Sequence, residues 1–212
     1  MRFAIFFLAA LFIAVPAHAL DKFFTAHCKA AGVPKELAMA VARQESGLNP
    51  LCINVSGTDY TPGSREQALA IIKKAQAENR SFDVGIMQIN SQWLKEWKID
   101  PAVLLDPDTN IRLGVRILKD EISRHGLSWQ AVGRYHSPNP ARARNYAWRV
   151  SRRISGNKEL KEKLAVAPYL GGNGRISRHL RKLPTFSTGL SICAGEQGQP
   201  HQQRAPVGIA SN

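Results

Sequence analysis

Leu37, Val41 and Glu45 stand at successive four-residue steps in the run Pro34-Lys-Glu-Leu-Ala-Met-Ala-Val-Ala-Arg-Gln-Glu-Ser46. In a helix such steps share one face, so this spacing predicts a short helix with a carboxyl aligned on its own apolar side. Lys35 and Arg43 then point elsewhere. Pro34 suits the first turn, where its missing N–H does no harm, and Gly47 with Pro50 beyond closes the helix. A carboxyl placed among apolar neighbours must be paired or held for chemistry, because burying it unpaired is costly.

The rest of the chain follows the same plan of short amphipathic helices broken by Gly and Pro. Asp21 to Ala31 reads as a helix with Phe23, Phe24, Cys28 and Ala31 on its apolar side, and Gly32 ends it. Leu51 to Gly63 is loop-like. Ser64-Arg-Glu-Gln67 resembles a capping box, opening a helix with Ala68, Leu69, Ile72 and Ala75 on one side. Ser81 to Asn90 turns extended. Asn90 or Ser91 can cap a short helix holding Trp93, Leu94 and Trp97. Asp106-Pro107-Asp108 opens a helix with Ile111, Val115, Leu118 and Ile122 inward. Ser128 caps the next, which reaches Tyr135. After Pro138 and Pro140 comes a basic helix with Ala143, Ala147, Val150 and Ile154 on its apolar side. Past Gly156 the apolar periodicity weakens, and the tail from Ala194 to Asn212 has the composition of a disordered segment. The expected architecture is mainly α, with a small extended region beside the Glu45 helix.

Met1 to Ala19 has the form of a secretory signal: Arg2, an apolar stretch from Phe3 to Val15, and a small-x-small site at Ala17-His18-Ala19. The apolar stretch is shorter than the roughly 20 residues a spanning helix needs. The expected division is a signal peptide at 1–19, one domain at 20–155 and a basic extension with tail at 156–212. No transmembrane anchor is expected once the signal is removed. The chain carries a formal net charge of +13, which favours polyanions or anionic surfaces as partners. Export argues against nucleic acid. So does the scarcity of aromatics among the cations between Arg142 and Lys182, which leaves no stacking platform. A solvated face that keeps the protein soluble is the plainer reading of that segment. Cys28, Cys52 and Cys193 lack zinc spacing and the histidines are scattered, so no metal site is expected. In an oxidising compartment Cys28 and Cys52 either pair or stay as buried thiols.

Cleaving a glycosidic bond requires a group that protonates the leaving oxygen, and burial beside apolar side chains favours the neutral form of a carboxyl. A glutamate in line with Leu37 and Val41 meets that demand. Here three motifs converge. Arg43-Gln-Glu-Ser-Gly-Leu-Asn-Pro50 resembles the signature around the catalytic acid of lytic transglycosylases, an E-S-x-x-x-P run. Gly85-Ile-Met-Gln-Ile-Asn90 is similar to their second motif, and Ala131-Val-Gly-Arg-Tyr135 to their third. The run Asn49 to Asn54, the helical insert at 64–79 and Ser81-Phe-Asp-Val-Gly85 look like the specialised members that accompany conjugation and type IV secretion machines.

The resemblance implies a goose-lysozyme-like fold and an exported, periplasmic enzyme without cofactor. It implies cleavage of the β-1,4 bond between N-acetylmuramic acid and N-acetylglucosamine in peptidoglycan strands. By matching position, Glu45 is the catalytic acid and Gln88 a hydrogen-bonding partner of the sugar. Ile86 and Met87 would shape the cleft, and Tyr135 would direct its hydroxyl toward Glu45 or the substrate. Components of a conjugation or type IV secretion channel are the implied partners. One departure is His136, where many relatives carry Asn after the third-motif Tyr; a substrate contact or a packing role both suit it. Another is the missing cysteine near Thr109. Asp83 and Asp59 are the candidates for a second carboxylate, whose spacing from Glu45 would decide between retaining and inverting hydrolysis. A hydrolytic muramidase and a non-catalytic glycan-binding assembly component are the alternatives.

Overall fold

Capping explains where most of the helices begin. The computed structural model describes residues 17–166. Residues 1–16 of the expected signal, Cys193 and the polar tail lie outside these residues. The first helix, α1, runs Ala17–Ala31, so the small-x-small triplet forms its opening turn, and α2 runs Lys35–Glu45. α3 is Arg65–Ala77, capped by Ser64, whose hydroxyl accepts from the Gln67 N–H. α4 is Ser91–Trp97, capped by Asn90. A 3-10 turn at Pro101–Leu105 leads into α5, Pro107–His125, capped by Asp106. α6 is Trp129–His136, capped by Ser128, and α7 is Pro140–Arg153, capped by Asn139. In each case the capping oxygen takes up a backbone N–H that the first helical turn leaves without a partner.

Between α2 and α4 lies a four-stranded antiparallel sheet, β1 Ile53–Val55, β2 Thr58–Tyr60, β3 Phe82–Val84 and β4 Ile89–Asn90, in the order β2-β1-β3-β4. Ile53 faces Tyr60 on one side and Val84 on the other, while Asp83 faces Asn90. The loop-like reading of Leu51 to Gly63 is corrected here. Ser56 and Gly57, both at positive φ, make a two-residue hairpin turn joining β1 and β2. Strands of three residues are too short for an alternating pattern to stand out from loop composition.

Helices α1, α5, α6 and α7 pack in succession, and α2 lies against both α1 and α7. The shared core holds Phe24, Leu37, Val41, Ile111, Val115, Leu118, Val132 and Val150, all with at most 1% exposure. It continues beyond Ile154 into α8, Lys158–Val166, whose Leu160 and Leu164 join the same cluster.

Of the two states left open for Cys28, the structure has the unpaired one. Cys28 is a free, buried thiol, so no Cys28–Cys52 bridge forms. α1 packs on α2 and α5, whereas Cys52 precedes β1 and its carbonyl accepts the Gly85 N–H at 2.7 Å. Burial pushes the Cys28 thiol up to about 11, Glu36 adding to the rise and Lys35 opposing it.

Candidate active site

α2 ends on its carboxyl, Glu45, with Ser46 as the capping residue. Gly47 at φ 64 and Leu48 at φ 71 turn the chain away, and the Ser46 and Gly47 N–H groups close back on Ala42 and Arg43. Glu45 is thus held at the last turn of a helix whose other inward residues, Leu37, Ala38, Val41 and Ala42, are fully buried. Its own exposure is 6%. Tyr146 of α7 donates its hydroxyl to Glu45 Oε1 at 2.5 Å, the short end of O–H···O bonds. The phenol itself is 1% exposed. Burial first, then the negative charge of Glu45, push its ionisation well above the ordinary value of 10.0, with Arg149 opposing. Tyr146 therefore stays a proton donor across the physiological range.

Above Tyr146 lies a second ring. His136, the last residue of α6, stacks on it with centroids 4.5 Å apart and planes 2° from parallel. The Arg149 guanidinium stands over the same ring at 5.8 Å. Arg153, one turn further along α7, meets Gln44, the neighbour of Glu45, at 3.4 Å. α7 therefore meets both Glu45 and its neighbour Gln44.

The turn at 85–88 lies next to this site, tied to it through Ser46, and its backbone is gripped from several elements. Ser46 donates its hydroxyl to Ile86 O at 2.8 Å, linking the turn to the residue after the carboxyl. Tyr135 donates to Met87 O at 2.7 Å. Asn110 of α5 accepts from Met87 N–H at 2.8 Å and donates to the carbonyls of Val84 and Leu104. Gln88, held at φ 44, donates from Nε2 to Cys52 O at 2.9 Å and Gly85 O at 2.8 Å. Gly85, at φ 81, admits no side chain: a Cβ there would stand 2.2 Å from Asn110 Nδ2 and 2.8 Å from Leu104 O. Gly114 leaves room in the same way for Met87, whose Cβ would lie 2.4 Å from an added methyl.

Of the residues expected at the site, Ile86 and Met87 are fully buried, Gln88 is 3% and Tyr135 1% exposed. Gln88 Nε2 and the Tyr135 hydroxyl donate to the backbone of the turn and its neighbour Cys52. A phenol that no motif pointed to, Tyr146, eleven residues beyond Tyr135, donates to Glu45. Its signal in the sequence is a hydroxyl in an otherwise apolar stripe of α7, beside Ala143, Ala147 and Val150; a buried Tyr needs a partner for its O–H. Asn110 was equally unheralded, a polar residue on the inner side of a helix. Asp83 and Asp59 lie in the sheet, where they accept from Asn90 at 2.8 Å and Asn54 at 2.6 Å.

A buried carboxyl at a helix end, a phenol upon it and a polar-braced turn beside it make a site suited to giving and retrieving one proton. The chain resembles the invasion protein IagB of Salmonella typhi, 29% identical over 135 residues, which are 61% of this chain and 71% of the relative. It resembles the type IV secretion system protein virB1 of Brucella abortus, 32% identical over 95 residues, 44% of this chain and 40% of that one. Protein IpgF of Shigella sonnei is 30% identical over 129 residues, 57% of this chain and 71% of the relative. No solved structure matches significantly. The family model of the transglycosylase SLT domain matches residues 22–188, a span that takes in every element from α2 to α8 together with Glu45, the 85–88 turn and Tyr146. With that match across most of its length, the chain belongs to the SLT transglycosylases, lysozyme-like enzymes that act on peptidoglycan as lytic transglycosylases.

Proposed function

We propose that the enzyme breaks the β-1,4 bond between N-acetylmuramic acid and N-acetylglucosamine and leaves a 1,6-anhydromuramic end. Glu45 gives its proton to the glycosidic oxygen as the bond to the muramyl anomeric carbon breaks. The resulting carboxylate takes the proton of the muramyl 6-hydroxyl, whose oxygen closes on that carbon. Atoms balance without water, and one carboxyl serves both steps because the nucleophile belongs to the substrate. The observation that carries this reading is the 2.5 Å bond from Tyr146 to Glu45 Oε1 at a buried helix end. The braced turn of Ile86, Met87 and Gln88 shapes the neighbouring wall of the cleft, and Tyr135 and Gln88 hold its backbone toward the sugar.

The likeness to a type IV secretion system protein and to invasion proteins supports a role in opening the wall locally for an envelope-spanning apparatus, with the enzyme exported to the periplasm. Among the described residues no helix is long and apolar enough to cross a membrane. Digestion of purified sacculi, followed by mass spectrometry of the released muropeptides, tests the chemistry. The wild type should release anhydro-muropeptides and Glu45→Gln should lower release by at least about a hundredfold. Equal release by both would remove Glu45 from its role, and products with reducing ends would replace the lyase by a hydrolase.

A further inference from the structure

We infer that His136 is a positioning residue of this enzyme, its imidazole face holding the Tyr146 phenol in the plane from which it donates to Glu45. The inference rests on the catalytic role proposed for Glu45 and goes beyond it. Three observations converge. The two rings are stacked within 2° of parallel at 4.5 Å, the near end of the range for offset-stacked aromatic pairs. The far end of the same phenol makes the 2.5 Å bond to Glu45. And the helices bearing the two rings are locked together: a Cβ on Gly133 of α6 would stand 2.4 Å from Ala143 O of α7.

A phenol has two soft degrees of freedom, rotation about Cα–Cβ and about Cβ–Cγ. Neighbours along α7 limit the first. The second swings the ring plane, and a flat partner on the ring face restrains it better than an aliphatic one of equal bulk. Tyr146 keeps its proton because burial and Glu45 oppose its ionisation, so its direction, and not its protonation, is what remains to be set. The aromatic character of residue 136 then matters more than its nitrogens. His136 itself is 9% exposed, at the C-terminus of α6 where Ser137 turns the chain toward α7.

The test uses the full-length protein on sacculi, with kcat and KM measured separately and thermal midpoints recorded for every variant. His136→Leu keeps the bulk and removes the flat face; kcat should fall about tenfold with KM unchanged within about twofold. His136→Phe should restore kcat to within about threefold of the wild type. In a Tyr146→Phe background, where no hydroxyl remains to aim, His136→Leu should cost less than about a further twofold. Should the leucine variant not fold, His136→Gln takes its place in both backgrounds. Three results would overturn the inference: Phe failing to restore kcat, Leu acting on KM instead, or the full loss persisting without the Tyr146 hydroxyl. Glu45→Gln run alongside separates the two readings. If it stays active the assigned acid is wrong, and if it is inactive a failed His136 series faults this inference alone.

Discussion

Asn110 shows how much one side chain decides at the residue scale. From the inner face of α5 it joins Val84, Leu104 and Met87 through three buried hydrogen bonds of 2.8 to 2.9 Å. Each backbone group it serves would otherwise be buried without that partner, since an apolar neighbour offers nothing in exchange. Asn110→Ala should therefore destabilise the fold by about 3 kcal/mol or more, read as a lowered urea midpoint. Asn110→Asp keeps the acceptor toward Met87 N–H but turns a charged oxygen on two carbonyls, and should be no better. Glu45 makes the same point with opposite purpose. Its position in the apolar line of α2 is legible from spacing alone, yet the hydroxyl that meets it comes from a helix a hundred residues on.

At the scale of elements, the contact between α6 and α7 carries the site. α6 supplies Tyr135 and His136, α7 supplies Tyr146, and Gly133 lets the two helices approach until its α-carbon faces the Ala143 carbonyl. A methyl there meets backbone, which cannot swing aside as a flexible side chain would. Gly133→Ala should lose about 1–3 kcal/mol of stability despite alanine's better helix propensity. Activity should fall further than stability explains, because separating the helices moves three site rings at once; kcat measured well below the unfolding temperature checks this. The sheet contributes differently. It is small and its strands short, and it serves chiefly to place the 85–88 turn where Ser46, Asn110 and Tyr135 can hold it.

For the whole molecule, two buried acids, Cys28 and Tyr146, hold their protons above the ordinary range. Cys28 titrates up at about 11 against an ordinary 9.0, and Tyr146 is raised well above 10.0. Both are acids that ionise more readily once unfolded. Between the ordinary and the raised value the unfolded state has lost protons that the native state still binds, so stability falls as pH rises. The fold should therefore weaken from about pH 9 upward, first through Cys28 and then through Tyr146. Urea midpoints taken from pH 8 to 11 should decline less steeply in Cys28→Ala than in the wild type once each is referred to its own value at pH 8. An equal slope would mean the thiol is accessible in the folded protein.

Local patterns settled much of this in advance: Ser64, Asn90, Asp106, Ser128 and the apolar stripes of α1, α2, α5 and α7 act within one or two helical turns, so the chain declares them wherever it goes. The alignment of Glu45 with Leu37 and Val41 is of that kind, and so is the family to which the motifs pointed. The partners of the carboxyl are not. The Tyr146 bond to Glu45, the His136 stack, the grip of Asn110 on a distant turn and the unpaired state of Cys28 all depend on how α5, α6 and α7 pack. Contacts of that sort are chosen by shape and by the demand that buried polar groups find partners across the whole core, and no stretch of sequence contains both halves of them.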